Sequence, residues 1–339
     1  MTTGLPFDDI RNLIKTMPMA DLESAVKAKE HEAQLTKPPG ALGKLEGLSE
    51  WAATWQGHYP PRTTRTIVAV FAGNHGVVNQ GVAAYPQAVT AQMVANFQHG
   101  GAAVNQICKT FDLGLKVFEL ALDQPTGDIT QEPALSEKDC AATFAYGMEA
   151  IAGGCDLLCI GEMGIGNTTI AAALAHGLFG GTAEEWVGPG TGVDNDGLKR
   201  KADALRRAVA LHRIHLNDPL EVLRRLGGRE LAAMAGAILA ARMERVPVLI
   251  DGYVATAAAA VLYKMDNSAL DHCVAAHCSA EPAHRKLLDK IGKQPLLDLG
   301  MRLGEGSGAA MAAGIVKAAI NCHNDMATFA SAGVANKEA

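Results

Sequence analysis

Five short apolar runs limit what this chain can fold into: Thr66–Ala72 (TIVAVFA), Leu115–Leu120 (LKVFEL), Asp156–Ile160 (DLLCI), Val246–Ile250 (VPVLI) and His272–Ala276 (HCVAA). Most are apolar without alternation, the pattern of a strand buried on both faces of a parallel sheet. Helical stretches lie between them. Thr169–Gly177 is Ala-rich, Asp196–His212 alternates charge, and Arg229–Arg242 carries Leu231, Met234, Ala235 and Ile238 on one face. Strands alternating with helices predict an α/β fold, an open parallel sheet flanked by helices. A weaker strand is expected near Glu185–Val187.

The first sixty residues hold no good strand and predict helices around a turn at Lys37-Pro38-Pro39-Gly40. A C-terminal helix is expected over Ser307–Asp325, with a small polar tail fraying after Ala330. The expected organisation is an N-terminal helical segment (1–60), a large α/β substrate-binding domain (61–305), and a C-terminal helix and tail (306–339).

Composition narrows the function classes. The 339 residues can bury a large core. The chain has 30 basic and 36 acidic residues and no basic stripe of the kind a nucleic-acid partner requires. Its small-apolar runs, such as Ala255–Tyr263, are far too short to span a membrane. Met1–Pro18 lacks the basic-then-apolar order of a secretory signal. The seven cysteines form no CxxC pair and read as buried reduced thiols. His272-Cys273 and His277-Cys278 lack the spacing of a zinc ligand set. These features describe a soluble cytoplasmic protein with no metal site.

The informative residues cluster where the strands end. Gly73-Asn74-His75-Gly76 follows the first run, and Gly161–Thr169 (GEMGIGNTT) the third. Asp251-Gly252 follows the fourth, and His277-Cys278-Ser279-Ala280-Glu281 the fifth. Open parallel sheets bind ligands beyond the carboxyl ends of their strands. His75 is expected to line that pocket. Gly161–Thr168 has phosphate-loop spacing, but Asn167 stands where the loop lysine would be, so a triphosphate reading is weak. What remains is a glycine turn, with Gly164 and Gly166, feeding a helix whose free amides can hold one phosphate. Asn167 and Thr168 add donors, or simply cap the helix. The turn Gly188-Pro189-Gly190-Thr191-Gly192 lets backbone approach a ligand closely. Lys199, Arg200 or Lys201 beyond it could face a phosphate. In Arg302-Leu303-Gly304-Glu305-Gly306-Ser307-Gly308, the following helix should keep Glu305 ionised, either as a proton acceptor or as a capping carboxylate.

Together the segments LTKPPGALGKLE, FAGNHGV, GVAAYPQAVTAQMV, GEMGIGNTT, GPGTGVD, DGYVATAAA, AHCSAEPAH and LGMRLGEGSGAA resemble the nicotinate-nucleotide:dimethylbenzimidazole phosphoribosyltransferase family. They run in family order from Leu35 to Ala310. The resemblance implies a Rossmann-like sheet with a small helical domain built from the two terminal segments, and a homodimer. It implies transfer of 5-phosphoribosyl from nicotinate mononucleotide to 5,6-dimethylbenzimidazole, with no cofactor and no metal. It puts the catalytic glutamate at Glu305. Nucleotide contacts fall on Glu162, Gly164, Lys201, Asp251, Gly252 and Ser279, with Gly166, Asn167, Thr168 and Gly190 in the same loops. Benzimidazole contacts fall on Leu303 and on the Tyr85–Met93 stretch, with Tyr85, Gln92 and Met93. A mononucleotide nucleosidase and a non-catalytic nucleotide sensor are the competing readings of the same loops.

Overall fold

The computed structural model describes residues 6–336, so residues 1–5 and 337–339 of the expected terminal segments lie outside the described residues. Three helices lead: α1 (Asp8–Lys15), α2 (Leu22–Glu32) and α3 (Lys44–Gln56). Strand β1 (Thr66–Ala72) is followed by α4 (Val89–Gln98), α5 (Ala103–Phe111) and β2 (Gly114–Glu119). Next come α6 (Glu137–Met148), β3 (Leu157–Met163), α7 (Asn167–Phe179), α8 (Asn195–His212), α9 (Pro219–Leu226) and α10 (Arg229–Met243). The chain continues through β4 (Val248–Ile250), α11 (Tyr253–Met265), β5 (Cys273–His277), α12 (Pro282–Lys290) and β6 (Pro295–Leu297). It closes with α13 (Ser307–Asp325) and α14 (Phe329–Ala332).

The six strands form one parallel sheet in the order β2-β1-β3-β4-β5-β6. The chain moves outward from β1 to β2, then crosses back to β3 and continues the other way. The strand order therefore reverses between β1 and β3, and a crevice opens beyond their carboxyl ends. Alternate residues serve opposite faces. Ala69, Phe71, Leu158 and Ile160 belong to the core shared with α6, α7, α10 and α11. Val68, Val70, Leu157 and Cys159 belong to the core under α3, α5 and α13. With both faces covered, β1 and β3 have no solvent side, which explains their unbroken apolar runs.

Two expectations are corrected. Residues 185–187 form no strand: Ala183–Glu185 is a 3₁₀ turn, and Trp186 is apolar because it is buried near Phe179. A sixth strand, β6, lies instead at Pro295–Leu297 on the sheet edge. Of the tail expected to fray after Ala330, Ser331 and Ala332 are helical, and 337–339 lie outside the described residues. Thr328 and Ser331 cap α14 reciprocally, and Leu35 bridges to Thr328. In the terminal segments, α2 packs on α3 and α3 on α13, while α13 also lies along β3 and β5. Helix α1 instead adds Ile10 and Ile14 to the core that contains α10. Among the described residues, no helix is long and apolar enough to cross a membrane, and all seven cysteines are free thiols.

The closest helix crossing joins α6 to α10. Gly147 of α6 lies against the Ala233 carbonyl, and Gly236 of α10 lies against the Phe144 carbonyl. A Cβ at either position would overlap that oxygen, and backbone cannot yield as a side chain can. Gly147→Ala and Gly236→Ala should each destabilise the protein by about 1–3 kcal/mol. Gly47→Ala, on the exposed face of α3 with open space around it, should gain about 0.5–1 kcal/mol from helix propensity. Urea unfolding of the three variants checks this. Equal stability of all three would mean that the α6–α10 crossing is loose.

Candidate active site

The site is built where β3 meets the turn before α13. Gly304, Glu305 and Gly306 are all left-handed, with φ of 81°, 63° and 74°. A non-glycine residue there carries strain of about 1–2 kcal/mol, so the surroundings must hold Glu305 in place. The Glu305 amide donates to the Glu162 carbonyl at 3.2 Å. Gly161 in β3 supplies the room, since a Cβ there would overlap the Gly306 backbone. A Cβ on Gly304 would in turn meet Glu162 Oε1. The two glutamates are thus brought together by glycines on both strands of the contact.

Four acidic groups share this region. Burial pushes Glu162 up to about 8, reinforced by Asp251, Glu230 and Glu305, while the Asn167 amide, which donates to Glu162 Oε2, opposes the shift. Burial pushes Glu305 up to about 7, with Asp251 adding to it. This corrects the expectation that the following helix keeps Glu305 ionised. The helix amides are used elsewhere: Ala309 N–H donates to Asp251 Oδ1 at 2.8 Å, with further help from the Gly308 and Gly306 amides. Asp251 also has His277 Nε2 3.6 Å away. Burial still raises its pKa. The helix N-terminus therefore serves the aspartate at the end of β4, and Glu305 is left close to half-protonated at neutral pH.

Cationic character gathers on the other side. Lys201 is only 2% exposed, and its Nζ donates to Thr168 Oγ1 and to the Gly188 carbonyl, each at 2.9 Å. Burial lowers its pKa to about 8, against a raising effect of Glu281. Lys199 and Arg200 are exposed, so the candidate phosphate cation is Lys201. It lies close to Gly190 and beside the N-terminus of α7, where Gly166 is the left-handed cap.

A cleft opens here. Glu162, Gly164, Asn167, Thr168, Gly190, Gly252, Ser279 and Leu303 line it. Gly166 and Lys201 line an adjoining cavity that shares Gly164, Asn167 and Thr168. Asp251 and Glu305 are buried beside these walls, at 1% and 6% exposure. Tyr85, Gln92 and Met93 are not among the wall residues. Tyr85 is half-exposed, Gln92 is exposed on α4, and Met93 packs on the core beneath α4. Helix α4 does reach the site through Thr90, whose hydroxyl accepts from the Ile165 amide at 3.1 Å. His75 does not line the cleft either. It is fully buried, 2.7 Å from Glu230, beneath Gly164. A Gly-Asn-His-Gly turn does not reveal whether its imidazole faces ligand or core.

A phosphoribosyltransferase family model, DBI_PRT, matches residues 17–334. A nicotinate-nucleotide–dimethylbenzimidazole phosphoribosyltransferase of Rhizobium rhizogenes is 70% identical over 335 residues, covering 99% of each chain. One from Sinorhizobium medicae is 69% identical with the same coverage. The chain belongs to the nicotinate-nucleotide–dimethylbenzimidazole phosphoribosyltransferase family. The crystal structure of a member of that family from Thermus thermophilus superposes with a TM-score of 0.86 at 41% identity, covering 93% of this chain and 99% of that one.

Within this phosphoribosyltransferase site, sequence reasoning passed over Thr191, Tyr253, His277, Glu281 and Arg302, which also line the cleft. Glu281 and His277 stood in a polar loop after a strand, the one signal that could have selected them. The raised carboxyls carry a stability consequence. The folded Glu305 binds its proton up to about pH 7, while the unfolded group lets go near 4.5. Stability therefore falls as pH rises through that window. Glu305→Gln removes the effect. The ligand-free variant should be more stable than wild type by about 1–2 kcal/mol at pH 8, allowing for partial solvent screening, and equal to it near pH 4. Denaturant titrations at the two pH values check this. A variant less stable at pH 8 than at pH 4, relative to wild type, would contradict it.

Proposed function

We propose that the protein transfers the 5-phosphoribosyl group of nicotinate mononucleotide to 5,6-dimethylbenzimidazole, giving α-ribazole 5′-phosphate and nicotinate. The nucleotide phosphate sits at the N-terminus of α7 with Lys201 beside it, where free amides, Thr168 and a buried ammonium favour an anion. Asn167 occupies the position of a phosphate-loop lysine and is bonded to Glu162, so this loop suits a monophosphate. The ribose lies in the cleft between Glu162, Gly252 and Ser279, with the flat base toward Leu303.

Little further chemistry is needed. The pyridinium of the donor leaves as neutral nicotinate ring nitrogen, so no acid protonates it. Attack by one benzimidazole nitrogen makes the N–H of the other acidic, and one carboxylate suffices to take that proton. The observation that carries the reading is Glu305. It is held in a strained turn against Glu162, and its pKa of about 7 suits a base working at neutral pH. Glu162, hydrogen-bonded to Asn167, positions the nucleotide. Attack opposite the departing nicotinate inverts the anomeric carbon from β to α in one displacement.

Incubation of wild type, Glu305→Gln and Glu162→Gln with nicotinate mononucleotide, with and without dimethylbenzimidazole, tests this. Wild type should give the α product. Glu305→Gln should lose about 10²–10⁴-fold in kcat and still bind the nucleotide. Nicotinate release without added base would favour a nucleosidase, and binding without turnover a sensor. A fully active Glu305→Gln with a dead Glu162→Gln would reverse the roles, and a β product would exclude single displacement.

We further propose that the protein works in the cytoplasm as a homodimer, the state that the sequence resemblance implies. Sedimentation equilibrium should give twice the chain mass. A single-chain mass at micromolar concentration would overturn this.

A further inference from the structure

One carboxylate on the cleft wall has no task in the reaction above. Glu281 follows β5 and stands at the N-cap of α12, yet its side chain does not cap that helix. It is 5% exposed and lines the cleft beside Ser279, Thr191 and Arg302. The Gly188–Gly190 turn passes over it so closely that a Cβ on Gly188 would overlap Oε2. The nearest backbone donor is the Gly190 amide, and no hydrogen bond of ordinary geometry reaches either oxygen. The neighbouring cations are engaged with other groups. Lys201 donates to Thr168 and Gly188, and Arg302 Nη1 donates to the Gly190 carbonyl at 2.9 Å.

A buried carboxylate without a partner is costly, and native structures keep few of them without a reason. A ligand that enters the cleft must therefore bring a donor. Nicotinate mononucleotide carries a phosphate and a carboxylate, which only accept, and a pyridinium with no N–H. Its two ribose hydroxyls are its only donors. We infer that Glu281 accepts a hydrogen bond from a ribose hydroxyl of the nucleotide and makes the site select ribosyl over deoxyribosyl donors. This inference rests on the nucleotide reading of the cleft given above. The charge layout agrees with it. Lys201 and the α7 N-terminus gather at the adjoining cavity, where the phosphate goes. Glu162 and Glu281 line the cleft, where they offer acceptors to hydroxyls. Burial raises the pKa of Glu281, and Lys201, the Gly190 amide and Arg302 oppose that rise.

The test compares kcat/KM for nicotinate mononucleotide and its 2′-deoxy and 3′-deoxy analogues, with dimethylbenzimidazole as acceptor, in wild type, Glu281→Ala and Glu281→Gln. Wild type should disfavour one deoxy analogue by about 10–100-fold, the range for a hydrogen bond to a charged group. Glu281→Ala should lose a similar factor on the full substrate and no more on that analogue, so that selectivity shrinks to about threefold or less. Glu281→Gln keeps an acceptor without the charge and should fall between the two. It also preserves the test if the alanine variant does not fold. A purely structural role would lower all three substrates equally. Selectivity kept at the wild-type level in both variants, or a wild type that shows none, would overturn the inference. A wild type that forms no α-ribazole 5′-phosphate would instead overturn the transferase reading, and the two failures are distinct.

Discussion

The turn ahead of α13 lies directly on β3, with no side chain between the two backbones. Gly161 and Gly306 meet where a single Cβ would force them apart, and the Glu305 amide reaches the Glu162 carbonyl across the same contact. This one approach sets the positions of both glutamates. It brings α13 onto the sheet and aims its first amides at Asp251. It also requires three successive left-handed residues, one of them not glycine, and that strain is held by the packing around it. Moving the turn outward by the width of a methyl group would release Glu305 from its place and leave Asp251 buried without its donors.

The electrostatics follow from that geometry. Acidic groups share a volume with little water, and only one of them receives helix amides. Asp251 takes those donors and the nearby His277. Glu162 and Glu305 are left to shift upward, to about 8 and about 7. On the opposite side, Lys201 is desolvated to about 8 beside the amide-rich start of α7. The site thus has a buried ammonium beside a helix N-terminus at one end and carboxyl groups at the other. A ribose phosphate fits that separation, with its phosphate at one end and its hydroxyls and reacting carbon at the other.

Much of this was legible in the sequence, for identifiable reasons. Strand β1 matches its apolar run residue for residue, because burial on both faces demands unbroken hydrophobicity. Strand β4 is shorter than VPVLI suggests: pairing with both neighbours spans only Val248–Ile250, just past a proline with no N–H to give. Strand β6 has three residues and begins at Pro295, so no periodicity could reveal it. The residues 185–187 misled because a buried tryptophan resembles strand composition when its packing partners are unknown. At the site, glycine spacing marked the loops. It could not show that the amides of α13 go to Asp251, 58 residues away, rather than to the adjacent Glu305. Nor could it show that His75 turns into the core while Glu281 turns into the cleft. Such facts belong to the tertiary arrangement and leave no local trace.

The central claim is that Glu305, and not Glu162, takes the proton from the incoming base. The pH dependence of kcat/KM for nicotinate mononucleotide tests it most directly, because kcat/KM reports the groups that titrate in the free enzyme. Wild type should show a rising limb with a midpoint near 7, set by Glu305. Glu162→Gln should keep that limb at a reduced plateau. Loss of the limb in Glu162→Gln, or a wild-type midpoint near the ordinary carboxylate value of 4.5, would contradict the account.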